Sequence, residues 1–457
     1  MKHVVIGLLA LMAVAVPAAA QDAGLAVPYT RFVLPNGLNV ILHQDRSTPM
    51  VSVNIWYNVG SGREKPGRTG FAHLFEHILF EGSANVPEGK FDQWLEAAGG
   101  SNNGSTNSDR TNYYEDMPSN ALELALFLES DRMGHLLGAM SPAKVDGQRD
   151  VVKNERRQSY ENRPYGMAFL TLDSAMYPPG HPYSWPTIGS MADLSAASYE
   201  DVVEFFRTYY APNNASLAIA GDIDLARTKQ LVEHWFSDVP GGAPVPPIAQ
   251  APAWLTAEKR MVLEDRVQLP RLYTCWHSPA IYTPGDAEMD LVAGVLAGSK
   301  NARLYKRLVY ELQIAQDVFA FQGSAALGSQ FCVIATARPG HGLAELEQVI
   351  QEELNRLKAT PPSAREVARV VNQMEASFLD RLERTGGFGG KADQLNAYYT
   401  RTGNPDWFGE DLARYKALAP TDVQATAQTM LRDDGRVILS IVPQGKPELA
   451  ATKPTTD

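Results

Sequence analysis

Between Pro240 and Pro252 the chain carries five prolines in thirteen residues. Each proline removes a backbone donor and fixes φ, so no continuous helix or central strand runs through that density. The stretch reads as a stiff extended linker. A chain of 457 residues is long enough for more than one core, and the linker leaves about 200 residues on either side, an ordinary domain size. The expected organisation is a first domain over 21–239, a linker over 240–254, a second domain over 255–447 and a flexible tail over 448–457.

The two parts echo one another. The first opens on Thr30–Leu42, a hairpin by its Asn36-Gly37 turn, and continues into the alternating strand Met50–Val59. The second opens on the strand-like runs Arg260–Leu263 and Arg271–Trp276, followed by a helix from Asp286 to about Ala297. Strands followed by helices, repeated, give an α+β class: two like domains, each an antiparallel sheet covered by helices.

At the N-terminus Lys2 and His3 precede an apolar run from Val4 to Val16 and then Ala18-Ala19-Ala20. That is the layout of a secretory signal peptide over 1–20, too short for a membrane span, and it places the mature chain in an exported compartment, a bacterial periplasm. The net charge of −11 disfavours nucleic acid or an anionic membrane surface as partner. The two cysteines, Cys275 and Cys332, both fall in strand-like runs. Two buried thiols are expected, with a single bridge as the alternative.

Chemistry concentrates between Gly70 and Phe80. At about 100° per residue, Phe71, Leu74, Phe75, Ile78 and Leu79 form one apolar face, and His73, Glu76 and His77 share the other. Imidazoles four apart on a helix can grip one metal ion, and a carboxylate between them reaches a water bound to it. The order H-x-x-E-H is that of the inverted zinc hydrolases, and it lacks one ligand. Ser141-Pro142 looks like an N-cap and first helical position, opening a charged helix over 144–160. His43, His135, His181, His234, His277 and His341 have no partners at ligand spacing, and Gly386–Gly390 reads as a hinge or close-packed turn.

Beyond its ligands, Gly70–Ser83 resembles the zinc-motif segment of the pitrilysin-type (M16) metallopeptidases, which include the mitochondrial processing peptidase and insulin-degrading enzyme. The resemblance implies a duplicated architecture around a chamber, a zinc cofactor held by His73, His77 and a glutamate from a later helix, and Glu76 as general base. Glu155, within Asp150–Glu155, matches that third ligand, with Glu161 and Asp150 as lesser substitutes. Gln148 stands where the family often has a further glutamate. Asn103 and Thr106 match the family's substrate-pairing segment. Val309 and Gln316 occupy positions where active members carry an arginine and a tyrosine acting across the chamber. The expected function is therefore a zinc endopeptidase subunit acting on peptides or unfolded segments, paired with an M16-like partner that supplies the missing Arg/Tyr pair. The alternative is a non-catalytic M16-like binding or assembly subunit.

Overall fold

The computed structural model describes residues 25–248 and 253–451. The expected signal peptide lies outside the described residues, as do the end of the tail and the middle of the linker. The described parts of the linker, 240–248 and 253–254, form neither helix nor strand.

Among the described residues, eleven strands form two sheets. The first contains β1 (Thr30–Val33), β2 (Asn39–Gln44), β3 (Met50–Tyr57), β4 (Ser101–Thr106), β5 (Thr111–Pro118) and β6 (Ala215–Gly221), in the order β1-β2-β6-β3-β5-β4. The second contains β7 (Lys259–Asp265), β8 (Arg271–Ser278), β9 (Ala315–Gly323), β10 (Ser329–Ala337) and β11 (Arg436–Pro443), in the order β7-β11-β8-β10-β9. Without β1, the first order is the second shifted by five strands, so the echo in sequence is a repeat of topology. The sheets are mixed, not purely antiparallel as expected. β2 runs parallel to β6 and β7 to β11, because the last strand of each half returns through helices and enters beside β2 in the first half and beside β7 in the second.

One face of the first sheet packs Val40, Leu42, Val53 and Ile55 against helices contributing Leu74, Phe75, Leu126, Val202 and Val232. The other face is covered from across the linker. Ala392, Leu395 and Tyr398, on the helix Lys391–Thr402, pack on Ile41, Ala218 and Ala220. In return, Ala168, Leu172 and Met176, on the first half's helix Ala168–Met176, pack on Tyr273, Ile334, Val437 and Leu439. Each half thus closes the other's sheet with one helix, and neither core is complete alone.

A polar seam accompanies this exchange. Trp56 Nε1 and Asn112 Nδ2 donate to Asp393 Oδ1 at 2.8 and 2.7 Å. Asn396 Nδ2 donates to the Asn54 carbonyl at 2.9 Å, and Arg401 Nη2 donates to Asp109 Oδ2 at 2.9 Å.

Two expectations are corrected. Cys275 and Cys332 are bonded as a disulfide, not left as thiols; they are direct partners across β8 and β10, a register that strand-like runs alone do not fix. The described part of the tail is packed, since Ala450 and Ala451 are buried and the Ala451 N–H donates to Ser440 Oγ at 3.0 Å.

Candidate metal centre

The motif helix spans Phe71–Ile78, and its apolar side is fully inside: Leu74, Phe75 and Ile78 have no exposed surface. Phe75 stacks on Phe205, Phe206 and Tyr210. The helix starts at Gly70, whose φ of 89° is left-handed and whose side a Cβ would fill at 2.9 Å from Gly189. Glycine offers no capping side chain, and the cap comes from Glu64. Its Oε2 accepts the Gly70 N–H at 2.9 Å and its Oε1 the Ala72 N–H at 2.8 Å, satisfying donors that a helix start leaves open. Thr69 is fixed beside it by Asp193, which accepts its N–H at 3.1 Å. Sequence reading missed Glu64, because a cap six residues upstream in a loop leaves no local signature.

The second ligand-bearing helix runs Pro142–Arg156, with Ser141 Oγ accepting the Lys144 N–H as expected of an N-cap. It brings Glu155 onto the two histidines: Oε2 lies 3.6 Å from His73 Nε2 and 3.3 Å from His77 Nε2. Among the described residues, His73, His77 and Glu155 form a cluster able to hold a metal ion, with all ligand atoms within 4.8 Å of one another. The substitutes point elsewhere: Asp150 pairs with Lys153 and Glu161 with Arg156. Gln148 donates to Glu81 Oε1 at 2.6 Å, and Lys144 Nζ to the Glu81 carbonyl at 2.8 Å, so this end of the helix is tied to the exit of the motif helix.

Electrostatics favour ligation. Burial, then the neighbouring His77, pushes the His73 imidazole down to about 4, partly offset by Glu155, which keeps it neutral and able to ligate. The hydrogen bond from His77 holds Glu155 below its ordinary value against burial. Glu76 is pushed up by burial and pulled back by a bond from Thr106, whose Oγ1 donates to Glu76 Oε2 at 2.6 Å.

Thr106 and Asn103 both lie on β4, the outermost strand of the first sheet. Thr106 turns its hydroxyl toward Glu76, while Asn103 is exposed and its Oδ1 accepts the Gly104 N–H at 2.8 Å. Gly104 keeps the strand close, since a Cβ there would stand 3.0 Å from Glu76 Cγ and 3.1 Å from the Tyr113 ring. In the second half Val309 is buried and Gln316 exposed on the edge strand β9. Arg303 is paired with Glu366 and Arg307 with Glu352.

Fold and side-chain geometry together define a class: a duplicated α+β chain whose first half gathers two histidines and a glutamate into a cluster able to hold a metal ion. Residues 39–183 match the family model described as insulinase (peptidase family M16), and residues 196–374 the one described as peptidase M16 inactive domain. The zinc protease PqqE of Helicobacter pylori is 27% identical over 398 residues, covering 85% of this chain and 89% of that protein. An uncharacterized zinc protease of Mycobacterium leprae is 30% identical over 355 residues, 74% of each chain. The crystal structure of a protease from Helicobacter pylori superimposes with a TM-score of 0.86 at 25% identity, covering 92% of this chain and all of that one. The chain belongs to peptidase family M16.

The Glu64 cap carries a pH signature. Burial pushes its carboxyl from 4.5 up to about 8, against the pull of the Ala72, Gly70 and Phe71 N–H groups. A folded-state value above the unfolded one means that this group's stabilisation is full below about pH 4.5 and is lost as pH rises through about 8. Urea unfolding of wild type and Glu64→Gln between about pH 5 and pH 8 checks this. Wild type is expected to lose more stability over that interval than the variant, and parallel curves would contradict the assignment.

Proposed function

We propose that this chain is a zinc-dependent endopeptidase subunit acting on peptides or unfolded segments, with His73, His77 and Glu155 as zinc ligands and Glu76 as general base. The observation that carries the reading is the ligand spacing. Donors about 2.0–2.1 Å from a tetrahedral ion stand about 3.4 Å apart, and the 3.6 and 3.3 Å separations from Glu155 to the two imidazoles suit that ion. Three protein ligands with a fourth position free is the layout of a catalytic site rather than a structural one.

Zinc held by His73, His77 and Glu155 would supply Lewis acidity for activating a water and polarising the scissile carbonyl. Glu76 accepts the proton of the attacking water and delivers it to the leaving amine nitrogen. Thr106 holds the Glu76 carboxylate in place, and Gly104 keeps β4 against it. An extended peptide laid along the open edge of β4, beside Asn103, would have its backbone satisfied by strand addition. The Cys275–Cys332 disulfide supports an exported, oxidising location.

The second half supports a paired enzyme. A buried valine at 309 cannot donate a hydrogen bond, and we assign the missing Arg/Tyr pair to an M16-like partner chain. The match of 196–374 to the inactive-domain model also favours the alternative, a non-catalytic binding or assembly subunit.

Zinc analysis and peptide assays, with the chain alone and mixed with an M16-like chain that carries the Arg/Tyr pair, separate these readings. The chain is expected to hold about one zinc, and His77→Ala to lose it. Glu76→Gln is expected to keep zinc while hydrolysis falls by about 10²-fold or more. Zinc retained in full by His77→Ala would refute the ligand set, undiminished turnover in Glu76→Gln the base, and full activity without any second chain the partner.

A further inference from the structure

The cavity at the metal cluster, of about 370 Å³, is lined by His73, Glu76, the β4 end from Gly104 to Thr106, Thr187 and Tyr160. Most of its hydroxyls are already committed. Thr106 donates to Glu76, Ser105 donates to Asn112 Oδ1 at 2.6 Å, and Thr187 shares a hydrogen bond with Ser61. Two are not: Ser108, which also lines the cavity, and Tyr160. The Tyr160 ring packs against the core of the first half, yet its hydroxyl bonds to no described residue and is not among the buried, unpaired side-chain atoms. Tyr160 thus lines the same cavity as His73 and Glu76, on a ring packed against the core and with a hydroxyl donor that has no acceptor among the described residues.

The backbone aims it there. Tyr160 lies five residues beyond Glu155, and at 100° per residue an unbroken α-helix would turn it about 140° away from that ligand. The chain instead winds Arg157–Glu161 as a π-helical turn, with the Asn162 N–H donating to the Arg157 carbonyl at 2.7 Å across five residues. The wider turn carries Tyr160 back toward the Glu155 side. Single π turns are uncommon and occur frequently at functional sites. Arg156 braces this one: its Nε donates to Glu161 Oε1 at 3.0 Å and its Nη1 to the Gly189 carbonyl.

We propose that Tyr160 is a catalytic residue, donating a hydrogen bond from its phenol to the carbonyl oxygen of the scissile peptide as that carbon becomes tetrahedral. This deepens the peptidase reading and rests on it. Negative charge gathers on that oxygen when the water attacks, and a donor already in place stabilises it without reorganisation. The bond strengthens in the transition state and is weak to the neutral ground-state carbonyl, so its loss appears in kcat more than in KM. No proton leaves the phenol, because Glu76 carries the proton of the step. The donor comes from the same chain as the metal ligands, so it acts whether or not a partner adds others.

The test is Tyr160→Phe, which keeps the ring and removes only the hydroxyl, in the full-length chain loaded with zinc. Two probes are compared by calorimetry: the peptide around the bond that wild type cuts in β-casein, bound in a Glu76→Gln background, and its phosphinic analogue, a mimic of the tetrahedral state. Zinc content and affinity for the uncut peptide are expected to stay at wild-type levels. Affinity for the phosphinate and kcat are each expected to fall by about 10²-fold, the scale of one lost donor. Equal weakening of both probes would make Tyr160 a ground-state contact, and unchanged phosphinate affinity would remove it from the site; either overturns the proposal. If Glu76→Gln abolishes turnover while Tyr160→Phe changes nothing, the peptidase reading stands and only Tyr160 falls. A wild type that neither cuts casein nor binds the phosphinate, alone or mixed with an M16-like partner chain, overturns both.

Discussion

The packing of Phe71, Leu74, Phe75 and Ile78 into the first core fixes everything chemical in this chain, because it sets the rotation of the motif helix about its axis. Burying a large apolar side chain contributes about 1.5–3 kcal/mol, and four of them on one face make any other rotation costly. His73, Glu76 and His77 take their direction from that burial. Their axial position is set separately, by the Glu64 carboxylate on the first N–H groups and by Asp193 on Thr69. Glu155 then needs only to arrive on a second helix, and that helix is itself held to the exit of the first through Gln148 and Lys144.

Among the described residues the second half adds nothing to the candidate cluster, yet the first is incomplete without it. Its helix Lys391–Thr402 covers the open face of the first sheet, and Asp393 gathers donors from Trp56 and Asn112 there. Arg401 reaches Asp109 in the turn between β4 and β5, three residues from the Thr106 that holds Glu76. Arg110, in the same turn, donates to the Ser105 carbonyl at 2.8 Å. A side chain on one side of the linker thereby braces the loop carrying the Glu76 contact on the other. This gives the duplication a mechanical reason that holds even though residues 196–374 match an inactive-domain model.

What was legible in the sequence was local. The motif helix, the Asn36-Gly37 hairpin, the Ser141 cap and the helix Asp286–Ala297 each depend on periodicity or on a turn residue within a few positions. What was not legible depends on partners far along the chain or on winding that leaves no pattern. The Cys275–Cys332 bridge needed the β8/β10 register. The parallel pairs and exchanged helices needed the tertiary path. Thr106 was marked for the site, but its direction onto Glu76 follows from how close Gly104 lets β4 come. Nothing in Arg157–Glu161 announces a π turn, so Tyr160 passed as an ordinary residue of a charged helix.

The proposed zinc site uses two imidazoles and one carboxylate, set by packing, and leaves one position open. X-ray absorption at the zinc edge on the purified, zinc-loaded chain measures this directly. The account predicts four light-atom neighbours at about 2.0–2.1 Å, with the scattering pattern of two imidazoles that falls to one or disappears with the metal in His77→Ala. A shell containing sulfur, a six-oxygen shell, or an unchanged imidazole count in that variant would contradict it.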